Sequence, residues 1–135
     1  MTTKQWLSRA LRLDGTIYSL METRDKERQK LVSIVQKLDG DIVSGTKDPH
    51  KFDRLVELNE AIDCLIDRQL EIKTEIITTI GQMDKPIYQR ILLLKYVDGM
   101  TFPAIAEVVK LSQRHVERLH GHALVEIGGI INSRV

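Results

Sequence analysis

The sequence predicts an all-α chain, a long antiparallel helical hairpin with coiled-coil-like seams followed by a helix-turn-helix. Three observations predict it. Apolar residues recur in alternating steps of three and four along two long stretches. Capping residues stand where helices should begin. Charged residues make up 29% of the 135 positions and aromatics 4%, with 8 glycines and 3 prolines. That balance suits helices around an aliphatic core.

The first helix begins at Thr2, whose partner three positions on is Gln5, the spacing of a capping box. Trp6, Ala10, Leu13, Ile17, Leu20, Leu31, Ile34 and Leu38 then form a heptad-like seam. Arg24 and Glu27 interrupt it inside the polar run "ETRDKERQK". Gly15 weakens a helix by about 1 kcal/mol relative to alanine, so a bend is expected there.

"DGDIVSGTKDPH", residues 39–50, reads as the connecting loop. Its Asp48-Pro49 is a cap followed by proline at the first helical position, where a missing N–H costs nothing. The second seam is Leu55, Leu58, Ile62, Leu65, Gln69, Ile72, Ile76, Thr79 and Met83, with the helix ending near Ile80 and Gly81. A hairpin of this kind buries one stripe per helix. Its remaining apolar positions point to a homodimer, and charge at Ile62 or Leu65 is expected to dissociate the dimer or unfold the chain. A compact three- or four-helix bundle, with both stripes turned to the C-terminal segment, stays open. Residues 1–83 are read as the hairpin and oligomerisation element, and 84–135 as the helix-turn-helix domain.

That second domain starts at Asp84 and Pro86, again a cap and a proline. Ile87, Ile91, Leu94 and Val97 give one apolar face, and Asp98-Gly99 a turn. Thr101 caps a short helix carrying Phe102, Ile105, Ala106 and Val109. Ser112 caps the next. Long helix, short helix, tight turn and capped helix is the layout of a helix-turn-helix.

Three of the four histidines fall within "LSQRHVERLHGHAL", residues 111–124. At about 100° per residue, Val116, Leu119, Ala123 and Ile127 form the buried stripe. His115 and His122 flank it but stand two turns apart, and His120 faces the other helices. Zinc takes imidazole nitrogens at about 2.0–2.1 Å, and helical pairs sharing one metal sit three or four residues apart. No metal or cofactor is expected. His120 is expected to be half-buried with a hydrogen bond to a carbonyl.

The exposed side of that helix suits DNA. Ser112 would leave helix N-terminal amides and a positive dipole end for a phosphate. Gln113 lies in the first turn. Arg114 and Arg118 stack one turn apart, where arginine can grip guanine bidentately. Glu117 shares this side, Gly121 leaves room for a backbone to approach, and His115 and His122 reach phosphate or groove. These eight residues are the candidate DNA contacts.

The stretch "LLLKYVDGMTFPAIAEVVKLSQRHVERLHGHAL" resembles the fourth conserved region of bacterial sigma factors. It is more similar to late-transcription regulators of phages and prophages that carry this module at the C-terminus. The matching residues are Tyr96 and Gly99, Thr101-Phe102, Ile105-Ala106, Ser112, Val116, Leu119-His120-Gly121 and Ala123-Leu124. The opening "KQWLSRALRLDGTI" is similar too, while the middle matches in helical character only. The chain departs from the pattern at Val109-Lys110-Leu111, where glycine is frequent, and at Phe102-Pro103, where tryptophan and a polar residue are frequent. The resemblance implies a regulator of phage or mobile-element transcription that would bind double-stranded promoter DNA or sit against host RNA polymerase. A DNA packaging protein of the small-terminase kind, or a polymerase-contact module without DNA reading, are the alternatives.

Net charge of +1 does not itself announce nucleic acid. Residues 84–135 carry seven Lys/Arg against five Asp/Glu. A single cysteine permits no internal disulfide and fits a reducing compartment. The opening residues lead straight into a charged helical pattern, and the apolar runs are far shorter than the ~20 residues of a membrane span. A cytoplasmic protein with no membrane partner is expected. No phosphate-binding glycine loop, nucleophile motif or ligand set points to an enzyme.

Overall fold

The computed structural model describes residues 1–37 and 51–133. All regular structure among them is helical. The elements are α1 (Thr3–Leu7), α2 (Arg9–Lys37), α3 (Lys51–Ile80), α4 (Pro86–Leu92), a π-helical turn (Leu93–Val97), α5 (Phe102–Val109) and α6 (Gln113–Asn132). The predicted loop, its Asp48-Pro49 start and the seam position Leu38 lie outside the described residues.

The capping box forms as expected. The Gln5 amide N–H donates to Thr2 Oγ1 at 3.2 Å, and the Thr2 N–H donates to Gln5 Oε1 at 2.9 Å. The first helix is split, however. Its break falls at Ser8, whose hydroxyl donates to the Lys4 carbonyl at 2.7 Å, and α2 runs through Gly15 uninterrupted. Around the break the Gln5 carbonyl accepts from the Arg12 guanidinium at 2.7 Å and the Trp6 carbonyl from the Arg9 side chain at 2.9 Å, so side chains take carbonyls of the ladder, whereas one glycine inside a long helix costs too little to end it. At the fourth helix, Lys85 rather than Asp84 occupies the cap position, and no side chain caps it.

The chain forms two compact units. One joins Met1–Leu13 to Gln69–Val135; the other is Asp14–Arg68. A boundary between residues 83 and 84 therefore runs through the first unit. The reason is burial: Leu7, Ala10, Ile76, Ile80 and Met83 share one core with Tyr88, Leu92, Tyr96, Ala123 and Ile127. Arg9 binds this corner together. Its guanidinium lies 4.5 Å from the Trp6 ring centroid, donates to the Trp6 carbonyl at 2.9 Å and meets Glu75 at 3.2 Å. A second core in the same unit joins Ile91, Ile105, Ala106 and Val116.

Grouped this way, the charge separates. The first unit carries eleven Lys/Arg against seven Asp/Glu, or +4, and the other nine against twelve, or −3. In the Asp14–Arg68 unit, Ile17, Leu31 and Ile62 are buried. Ile62 is fully enclosed by its own chain, so a charge there disrupts the fold instead of an interface. Among the described residues no helix is long and apolar enough to cross a membrane.

Candidate nucleic-acid interface

The segment entering α6 is built by three local devices. Thr101 accepts the Ala104 N–H at 3.4 Å and starts α5. Lys110 then turns the chain with a left-handed backbone, φ 57° and ψ 45°, the geometry that favours glycine. Ser112 accepts the His115 N–H at 3.2 Å and starts α6. The departure at Val109-Lys110-Leu111 thus leaves the turn intact, with lysine bearing the strain.

Val116 is fully buried against Ile91, Ile105 and Ala106, and Ala123 and Ile127 are buried in the neighbouring core. That anchors one side of α6. Ser112, Gln113, Arg114, Glu117, Arg118, Gly121 and His122 are exposed, and His115 is half-buried. Ser112, Arg114, His115 and Arg118 line one open hollow of about 500 Å³. Among the described residues, neither arginine has an acidic partner. The hollow therefore joins two unneutralised guanidinium groups, an imidazole and a helix N-terminus, a set suited to phosphate and to base edges. It gathers four of the eight predicted residues. Gln113, Glu117, Gly121 and His122 lie on the same exposed helix outside its lining.

Gly121 has open space around it: a Cβ built there meets nothing within 4 Å. Among the described residues, no packing requires glycine at this position. Gly128, on the buried side of the same helix, is different, since its Cβ would stand 3.0 Å from Thr3 Oγ1.

His120 departs from expectation. It is buried, and its Nε2 lies 2.7 Å from the Tyr96 hydroxyl rather than against a carbonyl. Its ring stacks on Tyr96 at 5.6 Å and meets the edge of Phe102 at 5.0 Å. Burial, with Lys4 and Lys95 adding positive charge, lowers its pKa from 6.5 to about 4. Burial raises that of Tyr96 to about 12. The imidazole is thus a neutral structural group. No periodic pattern announces this pair, because Tyr96 lies in the π-helical turn. There the Asp98 N–H donates to the Leu93 carbonyl, five residues back, at 3.1 Å. That widened turn keeps Tyr96 on the side of Tyr88 and Leu92.

The helix ends at Gly99, whose φ of 71° and whose approach to Leu11, 3.3 Å from a built Cβ, both disfavour a side chain. Most residues that carry the sigma-like resemblance therefore have packing, capping or turn roles: Tyr96, Gly99, Thr101, Phe102, Ile105, Ala106, Ser112, Val116, His120 and Ala123. Gly121, exposed and with open space around it, has none of these roles. Comparison with protein families, with curated proteins and with solved structures finds no match to this chain.

Proposed function

We propose that this chain is a DNA-binding transcriptional regulator of a phage or mobile element. In this reading α5 and α6 form a sigma-like helix-turn-helix, α6 enters the major groove, and α2 with α3 form a hairpin that sets a homodimer. The observation that carries it is the hollow at the start of α6, where Arg114 and Arg118 stand exposed beside the Ser112-capped amides. The +4 charge of the unit holding α6 supports it, because phosphate attraction supplies most non-specific affinity. The transcriptional role rests on the sequence resemblance.

The hairpin is supported within Asp14–Arg68. Gln36 shares a hollow with Phe52, while Glu27 shares one with Leu58. Positions later on α2 thus meet positions earlier on α3, the order of antiparallel helices. The test is a titration of wild type and of Arg114→Ala/Arg118→Ala against duplex promoter fragments at two salt concentrations. Equal binding by both folded proteins would remove α6 as the reading element and leave polymerase contact as the better account.

A further inference from the structure

Among the described residues, the Asp14–Arg68 unit exposes more large apolar side chains than it fully buries. Ile17, Leu31 and Ile62 are buried, whereas Tyr18, Val32, Phe52, Val56 and Ile66 are exposed. On α3 the exposed three lie within about 80° of one another, on a face adjoining the Leu55, Leu58, Ile62 and Leu65 seam. At one end of the unit, Val32 and Phe52 border an open hollow of about 230 Å³ that Leu31 and Leu55 also line. Phe52 and Val56, one turn apart, are 53% and 55% exposed beside it.

We propose that a second copy of this chain docks here, as an isologous pair, with Phe52 and Val56 of each copy packed over the hollow of the other. This deepens the homodimer reading above by naming its surface. A two-fold interface needs projection and recess on one patch, since the same residues meet themselves across the axis. This patch has both. Its size also fits. The 24 residues of α2 within the unit span about 36 Å. α3 contributes 18 residues, about 27 Å, and at about 10 Å per helix the two present a face on the order of 600 Å², the lower end of stable interfaces per partner. Among the described residues the seam position Ile62 is already buried inside the chain, whereas this face is exposed.

The experiment is sedimentation equilibrium of the full chain, wild type against Phe52→Glu and Val56→Glu, with Glu57→Gln as control. Wild type and control should give twice the 15.5 kDa chain mass at micromolar concentration. Each glutamate variant should raise the dimer dissociation constant at least tenfold and keep wild-type helical content. Should a glutamate variant fail to fold, Phe52→Cys in a Cys64→Ser background gives a second readout, because oxidation should link two copies across the axis. A wild-type monomer at high micromolar concentration would overturn both the dimer and this surface, and would point to the chain's own residues as the cover. A wild-type dimer untouched by either glutamate, or a folded Phe52→Cys dimer that forms no cross-link, would leave the dimer standing and remove this face from it.

Discussion

The Tyr96 hydroxyl and His120 Nε2, 2.7 Å apart, form a buried polar pair that joins the π-helical turn to the middle of α6. Because α6 also carries the candidate DNA contacts, this bond helps set where they stand. Tyr96→Phe keeps the ring and removes the partner of a buried nitrogen. It should cost about 1–3 kcal/mol by denaturant unfolding. In a double-mutant cycle with His120→Leu, the second change should recover part of the loss, because no unpaired nitrogen is left. Purely additive losses would mean that the bond contributes nothing.

The same pair sets a pH dependence. The unfolded His120 takes up a proton near 6.5, and the folded one only near 4. Between these values the unfolded state binds more protons, so stability falls as pH falls through this window. The loss should be about 3 kcal/mol by pH 4, and it should vanish in His120→Leu. At the other end, Tyr96 keeps its proton up to about 12, so stability falls again as pH rises above 10. Thermal melts across both ranges measure the two arms.

If α6 binds DNA as proposed, Arg114 and Arg118 separate two modes of contact. If either reads guanine, its alanine variant loses about 1–3 kcal/mol and relaxes preference at one base position. If it touches phosphate alone, affinity falls alike on all sequences and the salt slope shrinks by about one unit. Folding should be unchanged in either case, since both side chains are exposed.

Two glycines on α6 should respond oppositely. Gly121→Ala gains about 1 kcal/mol of helix propensity with no clash, so Tm should rise. DNA affinity should fall, because the new methyl group occupies the space left for a close backbone. Gly128→Ala meets Thr3 and should be the less stable of the two variants. A Gly121→Ala protein that binds DNA as well as wild type would show that nothing approaches there.

Lys110→Gly should stabilise the protein by about 0.5–1 kcal/mol, because lysine holds a left-handed backbone that glycine adopts freely. DNA affinity is read in the same samples; a loss there would show that the Lys110 charge, exposed two residues before the cap, also serves binding.

Period and caps made much of this architecture legible. The seam from Leu55 to Met83 reads directly, and its members are buried or half-buried throughout. Thr2, Thr101 and Ser112 read directly too, because a cap needs only its own residue and an amide three positions on. What did not read was whatever departs from 100° per residue. The Ser8 break lets Leu7 enter the core ahead of Trp6, and the π-helical turn brings Tyr96 to His120. The grouping of residues 1–13 with the C-terminal segment depends on contacts across more than a hundred positions, which no local pattern encodes. The candidate site was legible as an exposed arginine face. Its hollow was not, since concavity depends on how α6 is set against its neighbours.

The core shared by Leu7, Ala10 and Ile127 orders events during synthesis. As the chain leaves the ribosome, α1 emerges early, meets Ile76 and Ile80 of α3 about seventy residues later, and is fully covered only when α6 follows. Contacts this distant in sequence form slowly. The unit holding α6 is therefore completed late, after the Asp14–Arg68 helices are already outside. Nascent chains arrested before residue 127 should leave Trp6 more open to quenchers than the released chain.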